Sequence, residues 1–294
     1  MGVFGPTASG KSDVAAAVAE LIPAEVVSAD AMQVYDGVPI LTNTSPNPER
    51  LVGIWSLSHV ASVGEYAPLA HAAVDGILDA GRTPLVVGGT GLYFRAALAE
   101  LELPPAPVPG ARERWEGLYD EAGPAATHAR LGELDAEAAA RIHPNDRRRV
   151  VRALELAEAG RSLVPQRQAL FGGAWRHPTL VVGLDVPKTE LDRRIAQRTS
   201  RMFEVGVEEE VRNALRTEPS TTARKIIGLH EVATLPREEA IEALAAHTRR
   251  YAAYQRKWLR RLEGLVMVAA DRPPEETAAE IVALARTRER LPRS

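Results

Sequence analysis

The sequence predicts an α/β fold: a parallel sheet flanked by helices, carrying a small all-helical insertion. Three observations lead there. Short apolar, β-branched runs bounded by turn residues occur at Val3–Phe4, Glu25–Ser28, Pro84–Val87, Thr179–Leu184 and Leu265–Val268, each followed by a stretch of helical character. Strands alternating with helices build parallel sheets. The segment LPPAPVPG at 103–110 holds four prolines, which cannot continue a helix and so mark a linker. Finally, residues 111–142 carry no strand signal, only short amphipathic helices broken at Gly123–Pro124.

Taken in order, the first run leads into Gly5-Pro6-Thr7-Ala8-Ser9-Gly10-Lys11-Ser12, which fits G-x-x-x-x-G-K-[ST], and then into a helix over Asp13–Leu21. In such a loop successive backbone N–H groups and the helix N-terminus cradle phosphates, the lysine reaches the outer phosphate and the Ser12 hydroxyl can ligate Mg2+. The second run ends at Asp30, in VVSADAMQVY. A carboxylate there can take a proton from a nucleophile, hold magnesium through water, or cap the following turn. Gln33 and Tyr35 suit the edge and face of a base, and Tyr35 equally suits a core. The third run ends in Gly88-Gly89-Thr90-Gly91, without the magnesium-holding Asp of P-loop ATPases, and places Thr90 where open α/β sheets bind ligands. A small-molecule kinase or a transferase acting on a diphosphate follows from this pattern.

Beyond the linker, the helix Asp146–Glu158 could belong to either part. We divide the chain into a core of 1–104 and 146–294 and an insertion of 105–145. A last long helix spans Glu238 to Leu262.

The chain has 294 residues and no cysteine, which excludes disulfides, thiolate metal sites and cysteine nucleophiles together. No apolar run approaches the ~20 residues of a membrane span, and the start lacks a signal-peptide core, so a cytoplasmic protein with no membrane partner is expected. The formal charge of −3 averages two unlike parts. Residues 1–104 hold four bases against eleven acids; residues 105–294 hold 32 bases against 28 acids. The bases bunch at Arg141, Arg147, Arg148, Arg149 and Arg152, and again at Arg249, Arg250, Arg256, Lys257, Arg260 and Arg261. Such clusters are the footprint of a polyanion, or else a solvated face.

In order along the chain, GPTASGKS at 5–12, SADAMQVYDG at 28–37, VVGGTGLY at 86–93, RIHPNDRRRVVRALE at 141–155, RRIAQRTSRMFEVGVEEEV at 193–211 and TRRYAAYQRKW at 248–258 resemble the tRNA dimethylallyltransferases, or isopentenyltransferases. The resemblance spans nearly the whole chain. It implies a P-loop kinase-like fold whose helical insertion grips the anticodon stem-loop of tRNA. It also implies transfer of a dimethylallyl group from dimethylallyl diphosphate to the exocyclic amine of the adenine 3′ to the anticodon. Carried onto matching positions, Gly5 through Ser12 would bind the diphosphate with Mg2+ on Ser12, Lys11 would assist, Asp30 would be the base, and Thr90 would lie at the reaction centre. Arg194 and Arg198, one turn apart, would clamp the diphosphate. Asp30, Ala31, Met32 and Gln33, then Arg148, Arg149 and Arg152, then Lys225, Gly228 and His230 would touch tRNA. A monomer is expected. The chain departs from the pattern at Ala31, where serine is usual, in ILTNTSP at 40–46, in IWSLSH at 54–59, and at Ala253 and Tyr254, where bases are usual. An adenylate-type isopentenyltransferase acting on a free nucleotide would share the donor without needing a large basic surface.

Overall fold

A computed structural model describes residues 1–101, 108–164, 174–262 and 264–288. The chain divides into two compact units, one of residues 1–99 with 175–294 and one of residues 100–174.

The first unit is built on a six-stranded parallel sheet: β1 (Gly2–Phe4), β2 (Ala24–Ser28), β3 (Glu49–Arg50), β4 (Thr83–Gly88), β5 (Val181–Asp185) and β6 (Val266–Ala269), in the order β3-β2-β4-β1-β5-β6. Central β1 is only three residues long, yet Gly2 pairs in register with Val86 on one side and Val181 on the other. Val3, Leu85, Val87, Val182 and Leu184 are buried in one core with Val14 and Val18 of α1 (Lys11–Leu21) and Ile281 of the helix Pro274–Thr287. Strands covered on both faces are continuous apolar runs, and this is why periodicity located them. The exception is β3, absent from the expected five strands: its two residues, Glu-Arg, are polar and sit at the sheet edge beside β2, so they carry no apolar signal.

The strand order matters for function. The P-loop follows β1, Asp30 follows β2 and Thr90 follows β4. Because β4 lies between β2 and β1, Thr90 stands between the other two, with Asp30 and the P-loop two strand spacings apart, about 10 Å. All three occupy the carboxyl edge of the sheet, where ligands of open α/β folds bind.

The second unit is helical: α5 (Ala111–Leu134), α6 (Ala136–Arg141) and α7 (Arg147–Glu158), numbered after α2 (Pro39–Thr42), α3 (Val63–Asp79) and α4 (Gly91–Leu98) of the first unit. Gly123, at φ 83° and ψ 171°, breaks α5 just before Pro124, at the expected site. The boundary at 145 requires correction. Val150, Val151, Ala153 and Leu154 of α7 are buried with Tyr119, Leu131, Ala138 and Ile142, so α7 belongs to the insertion, which runs on to 174. The linker 103–110 lies outside the described residues except for its last three positions. Inside this unit the fully buried Glu155 carboxylate accepts from Arg112 at 2.7 Å and Arg152 at 2.8 Å. A buried carboxylate needs such partners, since losing them strands a charge.

Candidate active site

The P-loop forms as its sequence requires. Ala8 (φ 64°) and Gly10 (φ 82°) both adopt left-handed backbone, and α1 begins at Lys11 directly behind them. For a non-glycine residue this conformation carries a cost of about 1–2 kcal/mol, and its alternation along the loop turns peptide N–H groups into one concavity. The loop opens on a cleft of about 1250 Å³ whose walls include Lys11, Asp30, Gln33, Glu49, Arg194 and Arg198.

Cations crowd one side. Lys11 donates from Nζ to the Pro6 carbonyl at 2.7 Å, and burial pushes its ammonium down to about 8, against the pull of Asp30. Arg198 donates from Nη2 to Thr7 Oγ1 at 2.8 Å, while its Nε is buried with no hydrogen-bond partner among the described residues. Desolvation lowers that guanidinium to about 10, and Arg198 in turn disfavours the charge on Lys11. Two protonated groups kept partly dehydrated and aimed at a phosphate-type loop are an anion site waiting for its charge. Arg194, one turn earlier on α8 (Lys188–Glu204), also lines the cleft and is held by Glu190 at 2.6 Å. Both arginines thus line the same cleft as the P-loop.

The opposite wall carries the candidate base. Asp30 Oδ1 accepts from the Met32 N–H at 2.9 Å, so the carboxylate does cap the turn after β2, and the same side chain faces the cleft. Ala31 donates its backbone N–H to Thr90 Oγ1 at 3.2 Å. That contact needs no side chain, so alanine in place of the usual serine leaves it intact. Glu49, missed in the sequence with the rest of β3, lines the cleft as well; burial raises its carboxyl above the usual range. Among the described residues no cluster of three or more histidine, aspartate or glutamate side chains could cage a metal. A lone hydroxyl such as Ser12, which lines the cleft, matches Mg2+, an ion that keeps several waters and takes its remaining oxygens from a phosphate.

Residues singled out for a base fare unequally. Gln33 lines the cleft, but its amide is engaged, accepting from Ser28 Oγ at 3.0 Å and donating to the Asn43 carbonyl at 3.3 Å. Tyr35 is core: it is buried and donates to Thr222 Oγ1 at 2.6 Å, which removes it as a stacking platform. Lys225 and His230 are exposed, whereas Gly228 is buried, and a Cβ there would lie 2.7 Å from Leu41 and Leu244 side-chain carbons. Gly228 can offer only backbone. The IWSLSH departure is a stacked Trp55–His59 pair, ring centroids 5.0 Å apart.

The two basic clusters differ. In the first, Arg141 pairs with Glu137, Arg147 with Asp120, Arg149 with Asp146 and Arg152 with Glu155, leaving only Arg148 without a carboxylate among the described residues. In the second, on α11 (Arg237–Leu259) and the turn after it, Arg249, Arg250, Arg256, Lys257 and Arg260 have none. Here the elements α9 (Val207–Leu215) and α10 (Leu229–Thr234) precede α11. The inward face of α11 holds residues that went unassigned in the sequence. Gln255 accepts from the Thr7 N–H at 2.7 Å and donates to the Gly89 carbonyl at 3.0 Å, and Tyr251 shares a 3.2 Å hydrogen bond with Thr90 Oγ1. With Trp258 they recur at i, i+4 and i+7, one helical face, a spacing legible in principle but obscured by the arginines between.

Comparison with known proteins gives these features a setting. The family model described as IPP transferase matches residues 33–262. The tRNA dimethylallyltransferase of Thermobifida fusca is 40% identical over 277 residues, covering 88% of this chain and 86% of that protein. That of Kineococcus radiotolerans is 42% identical, with 88% and 87% covered. Among solved structures, the full-length tRNA isopentenylpyrophosphate transferase of Bacillus halodurans aligns over 98% of this chain and 97% of its own, with a TM-score of 0.68 at 28% identity. A eukaryotic dimethylallyltransferase acting on tRNA shares the fold at a TM-score of 0.81, with 98% and 78% covered. With a family model matched over most of its length and relatives this similar, the chain belongs to the IPP transferase family.

Proposed function

We propose that this chain transfers a dimethylallyl group from dimethylallyl diphosphate to the exocyclic amine of the adenine 3′ to the anticodon of tRNA, releasing diphosphate. The observation that carries this reading is the convergence on one cleft of a phosphate cradle, two partly dehydrated cations and the Asp30 carboxylate. An aromatic amine is a poor nucleophile, so the site must hold it against the electrophile and help the leaving group. The amine nitrogen forms a bond to C1 of the donor as the bond from C1 to the diphosphate oxygen breaks. Asp30 takes the proton the amine loses. Lys11, Arg194, Arg198 and the loop Gly5, Pro6, Thr7, Ala8, Ser9 and Gly10, through the N–H groups that its own hydrogen bonds leave open, neutralise the departing diphosphate. Ser12 would hold Mg2+, which would supply further positive charge for the leaving diphosphate. Thr90 orders the Ala31 amide beside the base.

Contacts to the anticodon stem-loop are assigned to Asp30, Ala31, Met32 and Gln33 in the core, to Arg148, Arg149 and Arg152 on α7, and to Lys225, Gly228 and His230, Gly228 through backbone alone. The uncommitted cations of α11 add electrostatic attraction. The chain acts as a monomer in the cytoplasm. A direct test uses tRNA in which the adenine 3′ to the anticodon is replaced by guanine: wild-type tRNA takes up label from the donor, and the replaced tRNA takes up none. Equal labelling of both would place the reaction elsewhere.

Affinity for tRNA should fall steeply with salt, because each phosphate neutralised releases counterions. Since Arg256 and Arg260 have no acidic partner among the described residues, substituting both by alanine should reduce the slope of log K against log salt by about 2. An unchanged slope would make them part of a solvated face.

A further inference from the structure

Beyond the cradle and the base, helix α11 touches both substrate loops at once. Gln255 is 1% exposed and uses both ends of its amide: the carbonyl oxygen accepts from Thr7 of the P-loop, and the nitrogen donates to Gly89 after β4. The approach is so close that a Cβ on Gly89 would lie 2.2 Å from Gln255 Nε2 and 2.9 Å from the Gly5 carbonyl. No side chain fits there. One turn earlier, the Tyr251 hydroxyl meets Thr90 Oγ1, the oxygen that accepts the Ala31 N–H beside Asp30. Thr7 is thereby fixed twice, its amide by Gln255 and its hydroxyl by Arg198.

We infer that Gln255 and Tyr251 are positioning residues that hold the donor loop and the acceptor loop in register, Gln255 acting on donor binding through Thr7 and Arg198, and Tyr251 acting on the chemical step through Thr90 and Asp30. The inference rests on the proposed reaction and assigns a division of labour within it. Neither residue need touch the reacting atoms. Thr7 N–H, being taken by Gln255, is withheld from the diphosphate, so the loop offers its later amides in a geometry that Gln255 sets. Misplacing such groups by about 1 Å is enough to cost a large factor in rate.

The test uses the full chain with two substitutions that remove hydrogen bonds and little volume, Gln255→Met and Tyr251→Phe. Donor affinity is measured by calorimetry with dimethylallyl diphosphate and Mg2+, alongside kcat, both KM values and Tm. In Gln255→Met the donor Kd and KM rise about tenfold while the KM for tRNA stays within twofold of wild type. In Tyr251→Phe kcat falls about tenfold with donor Kd unchanged. A helix that merely packs would move all these quantities together with Tm, and that outcome overturns the inference, as does wild-type donor affinity in Gln255→Met. Should Gln255→Met fail to fold, the Tyr251→Phe arm decides alone: an unchanged kcat overturns the assignment. Wild-type protein that binds no donor would instead refute the proposed reaction.

Discussion

Replacing Asp30 by asparagine should slow transfer about 10²- to 10⁴-fold, the usual contribution of a general base, while tRNA affinity stays within a few-fold of wild type. The substitution is informative because of what it preserves. Asp30 Oδ1 accepts the Met32 N–H, and an asparagine oxygen in the same place accepts it too, so the turn after β2 keeps its cap. What is lost is the ability to take a proton. Single-turnover rates with saturating tRNA and donor read the chemical step directly, and filter binding reads affinity. Near-normal transfer by Asp30→Asn would reduce the residue to a capping role, and a parallel collapse of binding would mean that its charge serves tRNA binding rather than proton transfer.

Replacing Arg198 by methionine should weaken donor binding about 30- to 700-fold, about 2–4 kcal/mol, as expected when one partner of a desolvated charge pair is removed. The donor-free protein should be no less stable than wild type. Folding lowers the Arg198 guanidinium from its ordinary value to about 10 through desolvation, so holding the charged form in the empty site subtracts from stability at neutral pH. Methionine removes that burden and the repulsion of Lys11, although it also gives up the hydrogen bond to Thr7. Tm without donor and the donor Kd therefore move in unrelated ways, a common trade of stability for function. Arg194 offers the contrast: its ion pair with Glu190 already offsets part of its charge, so its replacement should weaken donor binding less. Calorimetry and thermal melts on the two variants check both statements.

The sheet and the P-loop were legible because buried parallel strands and a glycine-rich phosphate loop each leave a local pattern, and Asp30 and Thr90 were legible as strand-end residues. What escaped depends on tertiary contacts. Edge strand β3 has no apolar run to mark it, so Glu49 went unseen in the cleft wall. Gln255 and Tyr251 read as polar residues of an arginine-rich helix, and only the packing of α11 against the sheet edge turns them toward Thr7, Gly89 and Thr90. Helix α7 was divided from the insertion because its amphipathic pattern cannot say which core it serves; Leu154 and Val150 answer by packing against α5 and α6. The net charge of each region suggested where a polyanion binds, yet the Arg141–Arg152 cluster is mostly paired to neighbouring acids, whereas Arg249, Arg250, Arg256, Lys257 and Arg260 have no carboxylate partner among the described residues. Composition counts charges, and pairing decides which are available.

We propose that one cleft brings a prenyl diphosphate to a tRNA adenine. A single assay tests it: purified protein with labelled dimethylallyl diphosphate and Mg2+, offered unmodified tRNA and AMP in parallel reactions. The expected result is label on tRNA and none on AMP; label on AMP alone, or on neither, would contradict the proposed reaction.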